Sequence, residues 1–544
     1  MLLKRKLRTK KSKSKSKPET GLLEYDFVTE LKDKRFSTRL EENKKQIEAL
    51  FKDSSDFVVL PFEVQGGKKA LAVFIDGLVS SQQVNAALEA IMILEGDEPT
   101  IEKLAERSIP SGQMKTSSNY SEFLLAVLGG DTGILLEGDS SVLLLGLRGP
   151  STRSVAEPET ESVVRGPREG FIENLRTNTS MVRRKLKTPH LKMKALVLGK
   201  QTNTNIVISY LDQIADQAVV EEVEKRLQKI DIDAILESAY VEELIEDSVY
   251  SPFPQVQITE RPDTVAASLL EGRVAIFVDG TPFVLIVPTV FWQYMQASED
   301  YYERFWVTSL VRLLRYFLLV LSLTTPALYV AVTTFHQDLL PTSLMLSIAA
   351  AREAIPFPAV IEALLMEIIF ESLREAGVRL PKAVGSALGI LGALVIGQAA
   401  VTAGIVSAPV VIVVSLTGIA SFAIPRYNAA IAVRMLRFPL MFLGATFGMY
   451  GILLGIFFML GHMANLRSFG IPYLSPAAPL TLRDMKDTLV RAPLHLLNKR
   501  PKYMPVHNEQ RVDPSMQHMI IQQSGQKGKS IPHDPSGGKP DETN

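Results

Sequence analysis

The feature that most constrains this sequence is a series of long apolar runs between residues 316 and 460. A helix needs roughly 20 apolar residues to cross the hydrocarbon core of a bilayer. Residues 20–290, in contrast, have the composition of an ordinary soluble protein. The sequence therefore predicts a large soluble head followed by a multi-pass membrane domain. The four runs that are long enough are 316–335, 384–404, 405–424 and 438–460.

A fifth apolar segment, 357–373, is unusual because it carries Glu362, Glu367 and Glu371. An ionised carboxylate at the bilayer centre costs on the order of 2.5–3.5 kcal/mol, so these side chains are not expected to face lipid. On a helix, Glu367, Glu371 and Arg374 share one face. The acids must pack against other helices, pair with arginine, reach water or line a hydrated path. Buried pairing and a role in ion passage are both open.

The distribution of basic residues indicates which segments cross. With no signal peptide, the head is expected to stay cytoplasmic. If 357–373 crosses, the short loop with Arg426, Arg434 and Arg437 is cytoplasmic too, as the positive-inside rule prefers. Five crossings then place the C-terminus outside, unless residues 339–353 form a re-entrant segment. The side of the C-terminus stays open.

The run 384–404 has a small residue at every fourth position and a polar neighbour beside this stripe. In lipid, helices associate through close backbone approach along such stripes. Tight packing within one subunit explains the stripe. The alternative is that several copies of this helix surround an axis and form a narrow apolar pore that dewetting closes. The residues are Gly385, Gly389, Ala393, Gly397 and the polar Gln398.

The head contains a repeated pattern. "GDTGILLEGDSSVLLL" at 130–145 and "GRVAIFVDGTPFVLIV" at 272–287 align without a gap, and both read as a β-hairpin around an acid–Gly turn. Earlier in each half a strand precedes a helix, and Asp216 is the expected N-cap of the second one. We therefore predict an α/β head of two related subdomains, 21–158 and 159–292, followed by an α-helical membrane domain, 293–465.

The termini and the composition restrict the function further. Residues 1–20 contain a run with nine Lys or Arg, which predicts a disordered tail that contacts anionic lipid or only aids solubility. Residues 466–544 are polar and are expected to be largely disordered. The balance of 59 basic and 59 acidic residues gives no reason to expect nucleic acid. Without cysteine or any HExxH, GxSxG or P-loop motif, the sequence predicts no enzyme, cofactor or metal site.

Several stretches resemble the A subunits of GerA-type spore germination receptors. They include "VVRGPREGFIENLRTNTSMVRRKL" at 163–186, "YSPFPQVQITERPDTVAASLLEGRVAIFVDGTPFVLIVP" at 250–288 and "SFGIPYLSP" at 468–476. The prolines fix an extended path, which suits a rigid connection, and we expect the motif residues to be structural. Those residues are Arg165, Gly166, Pro167, Arg168, Ser251, Pro252, Phe253, Pro254 and Gln255.

The resemblance implies a location and partners. Family members lie in the inner membrane of the dormant spore with a multi-pass B subunit and a lipoprotein C subunit. The nutrient is expected to bind mainly to the B subunit, and the A subunit to form a homo-oligomeric, ligand-gated channel for monovalent cations. A non-conducting scaffold whose head binds nutrient or partner is the alternative, as is an accessory relative from sporulation stage V.

Overall fold

The computed structural model describes residues 27–64, 66–93, 99–106, 113–149, 157–379, 395–504 and 508–512. It comprises an α/β head (27–290), a helical bundle (305–465) and a C-terminal segment that follows the bundle. Two antiparallel five-stranded sheets confirm the α/β class expected for the head. The predicted basic tail, residues 1–20, lies outside the described residues.

The described residues of the first subdomain form five strands and five helices. Its elements are α1 (Phe27–Glu30), α2 (Leu40–Leu50), β1 (Phe57–Val64), β2 (Lys68–Ile75), α3 (Ser81–Met92), α4 (Ile101–Ala105), β3 (Met114–Ser117), α5 (Tyr120–Leu128), β4 (Thr132–Leu136) and β5 (Val142–Leu145). The strand order is β1-β2-β4-β5-β3. Successive residues of β2 enter two apolar clusters, Leu71 and Val73 on one face and Ala70 and Ala72 on the other. The two-residue period of a strand accounts for this alternation.

The second subdomain repeats this plan. Its elements are α6 (Leu175–Lys185), β6 (Leu191–Leu198), β7 (Thr204–Leu211), α7 (Gln217–Gln228), α8 (Ser238–Ile245), β8 (Gln257–Thr259), α9 (Pro262–Leu270), β9 (Val274–Val278) and β10 (Val284–Val287). The order β6-β7-β9-β10-β8 matches that of the first sheet, strand for strand.

The hairpins expected from the sequence are β4–β5 and β9–β10. Gly138 and Gly280 both have a φ of 87° at their turns, a conformation that glycine adopts without a steric penalty. Asp216 caps α7, since its side chain accepts a hydrogen bond from the Ala218 backbone N–H at 2.8 Å. The local signals of turns and caps are therefore read correctly from the sequence.

The bundle consists of α10 (Phe305–Phe335), α11 (Thr342–Arg352), α12 (Ala359–Arg379), the helical residues 395–402 (α13), α14 (Ala408–Ser421) and α15 (Tyr427–Asn465). Among the described residues, α10 and α15 are long and apolar enough to cross a membrane. At about 1.5 Å per residue, the 31 residues of α10 extend about 46 Å. Large apolar side chains are exposed along the bundle, among them Trp306, Leu310, Phe317, Ile412, Ile419, Phe447, Phe457 and Phe458.

The single helix expected over 438–460 is wrong, because α15 breaks at Gly448, where φ is 60° and ψ is −143°. The chain reverses there into two antiparallel arms, a first arm (427–447) and a second arm (449–465). Gly455 accordingly lies against Leu440 and Leu443. Both outer ends of this hairpin reach the head, through Arg426 and His462.

Part of the C-terminal segment also differs from expectation, since residues 467–504 pack against the head and the start of α10, whereas residues 513–544 lie outside the described residues. Tyr473 is fully buried, and its hydroxyl donates to the Pro254 carbonyl at 2.8 Å. A short antiparallel pair, β11 (Arg467–Ser468) and β12 (Ile471–Pro472), opens the segment. Short 3-10 turns follow at Asp484–Asp487 and Leu494–Leu496. The polar composition of this segment suggested disorder, but many of its polar groups form hydrogen bonds with the rest of the protein.

Candidate ion-pair network and head–bundle junction

Each of the three glutamates that the sequence singles out in α12, namely Glu362, Glu367 and Glu371, meets an arginine. Glu362 is fully buried near the end of α12 farthest from the head. It accepts from Arg352 Nε of α11 at 3.2 Å and from the Ser407 backbone N–H, just before α14, at 2.9 Å. This carboxylate therefore connects three helices.

Glu367 is also fully buried and lies near the middle of the bundle. It accepts from Arg437 Nη1, on the first arm of α15, at 2.5 Å. The same guanidinium donates to the Ser322 carbonyl and hydroxyl of α10, at 2.9 and 3.1 Å. Arg437 thus joins α10, α12 and α15 at one level of the bundle.

Glu371 lies closest to the head. It pairs with Arg374 at 3.1 Å and with Arg434 of the first arm at 3.5 Å. Arg374 also donates to Ser421 Oγ of α14 at 3.1 Å, and its guanidinium lies 4.9 Å from the Phe422 ring centroid. The Glu371–Arg374 pairing suggested by their spacing is present, and two further helices contribute to it.

This arrangement pairs each of these carboxylates with arginine, and Glu362 and Glu367 are fully buried inside the bundle. An unpaired buried ion costs several kcal/mol, and pairing with good hydrogen bonds offsets much of that cost. Glu362, Glu367 and Glu371 therefore each link α12 to a neighbouring helix of the same chain. The partners of Glu362 and Glu367 lie ten and seventy residues away in sequence, so helical spacing gave no indication of them.

The small-residue stripe is described only in part. Gly385, Gly389 and Ala393 lie outside the described residues. Gly397 is buried, and a Cβ there would contact Val411 of α14 at 3.5 Å, so at this position the stripe packs within the chain. Gln398, about 100° round α13 from Gly397, is exposed, and so is Thr402, one turn further on.

The head contacts the bundle at Arg426, the residue that precedes α15. Its Nη1 donates to Glu161 Oε1, and the other oxygen of Glu161 accepts from Thr259 Oγ1 at 2.9 Å. Glu260 in turn holds the residues before Glu161, accepting from the Glu159 backbone N–H at 2.8 Å. The segment that links the two subdomains therefore also anchors the first arm.

The motif at 165–168 lies beside this contact. Arg261, fully buried, donates to the Pro167 carbonyl at 2.8 Å. Gly166 has a φ of 140°, and a Cβ there would lie 2.7 Å from the Tyr302 ring. Arg168 is exposed and lies 3.9 Å from Glu157, and Arg165 is exposed as well. Backbone geometry therefore accounts for Gly166 and Pro167 better than for the two arginines.

The motif at 251–255 contacts the second arm and the C-terminal segment. Ser251 Oγ lies 2.9 Å from His462 Nε2, and the ring of Phe253 packs between His462 and Tyr473. The Gln255 carbonyl accepts from Ser468 Oγ at 2.8 Å. Pro252 and Pro254 shape the connection between these contacts, as a structural role requires.

Sequence reasoning missed a cluster at the start of α10. Arg312 is fully buried and donates to Asp300 and Asp487, each at 2.8 Å. Arg315 also binds Asp300, and Tyr301 donates to Asp487 at 2.7 Å. Burial raises the pKa of the Asp487 carboxyl, and Arg312 opposes that shift. The sequence signal for this cluster was the pair Arg312 and Arg315, just before an apolar run. It did not reveal the cluster, because the acidic partners are remote in sequence.

Comparison with known proteins identifies the family. Residues 45–503 match the family described as Bacillus/Clostridium GerA spore germination protein. "Uncharacterized membrane protein YfkQ" of Bacillus subtilis (strain 168) is 52% identical over 471 residues, covering 86% of this chain and 92% of the relative. "Spore germination protein KA" of the same organism is 44% identical over 498 residues, covering 90% and 91%.

One solved structure matches part of this chain. It is the crystal structure of the N-terminal domain of the A subunit of the Bacillus megaterium spore germinant receptor GerK3, which is 36% identical and covers 47% of this chain and 97% of that domain, with a TM-score of 0.39. The family match over residues 45–503 includes most of the head, the whole bundle and most of the described C-terminal segment. The chain therefore belongs to the GerA family of spore germination receptor A subunits.

Proposed function

We propose that copies of this chain assemble in the spore inner membrane into a nutrient-gated channel for monovalent cations, with a multi-pass B subunit and a lipoprotein C subunit as partners. Family membership supports the receptor role. The exposed apolar side chains of the bundle and its buried Glu–Arg pairs support several crossings, because both suit a lipid environment. The nutrient binds mainly to the B subunit in this proposal.

The observation that carries the conduction step is the orientation of α13. Gly397 is turned inward onto Val411, whereas Gln398 stays exposed on an otherwise apolar surface. The neighbouring Thr402 hydroxyl donates to the Gln398 backbone carbonyl at 2.8 Å, so the Gln398 amide is the polar group that this face presents. Polar side chains facing lipid are unfavourable, so this face is expected to meet water or another copy of the chain. A ring of such faces would surround a narrow hydrated axis.

The junction supplies a route for gating. Glu161 holds the start of the first arm through Arg426, and Asp487 holds the start of α10 through Arg312. Arg500 of the C-terminal segment donates to the Leu270 carbonyl of the second subdomain at 2.7 Å. A rotation of that subdomain together with the C-terminal segment would therefore displace the head-side ends of two bundle helices. Coupling of this kind needs an element with two discrete arrangements, and the junction is our candidate.

The test is cation flux into liposomes that contain the purified receptor complex. Gln398→Leu should reduce nutrient-triggered flux, because it removes the polar face of α13. Val395→Leu, an apolar change at an exposed position of the same helix, should leave flux unchanged. Native mass spectrometry of the same samples reports the number of copies.

Two results would count against the channel. One is a complex with a single copy of this chain, and the other is equal flux in both variants. Either would favour the scaffold alternative. That alternative draws support from a cleft of about 490 Å³ between the subdomains, lined in part by Asp53, Lys194 and Glu224.

A further inference from the structure

The C-terminal segment runs beside the first turns of α10. The Thr488 carbonyl accepts from the Tyr316 hydroxyl at 3.1 Å, and the Arg491 carbonyl accepts from Ser309 Oγ at 3.2 Å. Tyr316 opens the apolar run 316–335, and Ser309 precedes it by about 10 Å along the helix. In the proposed membrane arrangement, α10 enters the hydrocarbon near Tyr316. Residues 488–491 therefore lie at the depth of the lipid head groups, whose layer is roughly 5–8 Å thick on each side.

Large apolar side chains of this segment are exposed. We call them the apolar rim, and they are Leu480, Leu482, Leu489, Val490 and Leu494. Leu482 is 76% exposed, and Trp306, in the first turn of α10, is 74% exposed. A group of exposed large apolar side chains marks an interaction site, either with protein or with a membrane.

The exposed charges of the same stretch, residues 476–502, are positive. Its two acids are turned inward, since Asp484 accepts from the Lys502 backbone N–H at 2.7 Å and Asp487 pairs with Arg312. The exposed charged residues are Lys486, Lys499 and Lys502. Lys499 lies 3.5 Å from Glu509, whereas the ammonium groups of the other two have no acid within 4 Å in the described part of the chain. The apolar rim is therefore accompanied by uncompensated positive charge.

We propose that the apolar rim docks on the head-side surface of the membrane, where Lys486 and Lys502 bind the phosphates of anionic phospholipids. Segments that lie in the head-group layer combine buried apolar side chains with basic ones, and anionic lipid attracts lysines beside the membrane. Tryptophan prefers the same depth, which suits Trp306. The depth of residues 488–491 and the excess of positive charge favour lipid over a protein partner. This inference rests on the membrane location given in the proposed function, but it requires no conduction.

The first test measures what covers the apolar rim. The chain has no cysteine, so a single introduced cysteine carries a spin label at one known position. Leu482→Cys and Val490→Cys are labelled in the full-length chain, in nanodiscs of phosphatidylcholine with about one third phosphatidylglycerol. We expect both labels to collide more with oxygen, which concentrates in lipid, than with a water-soluble nickel chelate. A label at Val197→Cys should collide more with the chelate, because Val197 is exposed on β6, at the sheet edge opposite β8.

A fourth label separates this proposal from the membrane location on which it rests. Phe457 is exposed on the second arm, so a Phe457→Cys label should lie in lipid. If this label and those of the apolar rim all face water, the membrane location fails and this proposal fails with it. If only the labels of the apolar rim face water, docking on lipid is overturned and the channel is not. Shielding of the rim from both reagents also overturns it, because a second copy or another protein then covers the rim.

The second test concerns the charge of the lipid. Each lysine near an anionic surface favours the anionic lipid about fivefold. The double variant Lys486→Gln/Lys502→Gln should therefore lower the preference of the full-length chain for spin-labelled phosphatidylglycerol over spin-labelled phosphatidylcholine. Lys45→Gln/Lys52→Gln, at two exposed lysines of the first subdomain, should leave this preference unchanged. Both double variants keep the basic run of residues 1–20, so its own attraction cancels in the comparison. An equal preference in the two double variants would show that anionic lipid is not the partner.

Discussion

Two Arg–Asp pairs join the subdomains, and they differ chiefly in burial. Arg183 binds Asp56 through Nε and Nη2 at 2.9 and 2.8 Å, with side chains 0% and 3% exposed. Arg176 lies 3.0 Å from Asp76, with both side chains about two-fifths exposed. A buried pair leaves an uncompensated charge when one partner is removed, whereas water screens an exposed one.

Asp56→Asn should therefore lower the free energy of unfolding by about 3–5 kcal/mol. The matched change Asp76→Asn should cost less than about 1 kcal/mol. Thermal unfolding of the full chain in nanodiscs, followed by intrinsic fluorescence, measures both variants. Equal losses would mean that burial does not distinguish the two pairs.

Glu242 in α8 links stability to pH. Burial raises the pKa of this carboxyl to about 8, and the neighbouring Glu246 and Glu237 add to the shift. The folded state holds the proton where the unfolded state has released it, so stability falls as the pH rises from about 4.5 to 8. Glu242→Gln should match the parent at pH 5 and exceed it at pH 8, by roughly 1–3 kcal/mol.

The control for this prediction is Glu243→Gln, the same change at the exposed neighbour. Unfolding temperatures at pH 5, 6.5 and 8 give the comparison. If Glu242→Gln has the same pH profile as Glu243→Gln, the Glu242 carboxyl is already ionised in the folded protein at neutral pH.

At the level of secondary structure, the fold depends on the reversal at Gly448. A residue with a Cβ is strained at a φ of 60° and a ψ of −143°, and that Cβ would lie 2.6 Å from His336 Cε1. Gly448→Ala should destabilise the bundle by at least about 1–3 kcal/mol. Gly461→Ala, in the second arm with no atom within 4 Å of the added Cβ, should be neutral or slightly stabilising. Thermal unfolding distinguishes these outcomes, and an unchanged Gly448→Ala protein would argue against the hairpin.

The same position marks a limit of sequence reasoning. The β-hairpins followed from acid–Gly turns between apolar strands, and the cap of α7 followed from Asp216. In the first and second arms, however, Gly444, Gly448, Gly451 and Gly455 look alike in sequence. Packing against the end of α10 determines that the chain reverses at Gly448 and not at another of these glycines. Because the sequence does not show this packing, it predicted a continuous helix.

On the scale of the whole molecule, the hairpin brings the chain back to the head. The first arm begins at the head beside Arg426, and the second arm ends near it at His462. The C-terminal segment therefore emerges on the head side and packs there. The apolar runs of the sequence did not decide on which side the C-terminus lies, because the run 438–460 contains this reversal.

The segment that emerges there acts as a clasp between the head and α10. Asp487 accepts from Arg312 and Tyr301, so Asp487→Asn removes one of the two carboxylate charges that Arg312 pairs with. We expect a loss of about 1–3 kcal/mol and faster tryptic cleavage after the exposed Lys486, because weaker contacts let this stretch open locally. Asp231→Asn, which removes an exposed pair with Lys200, should change neither. If cleavage after Lys486 is equally slow in both variants, the clasp is held by the burial of Tyr473 and not by Asp487, and gating through Arg312 loses its support.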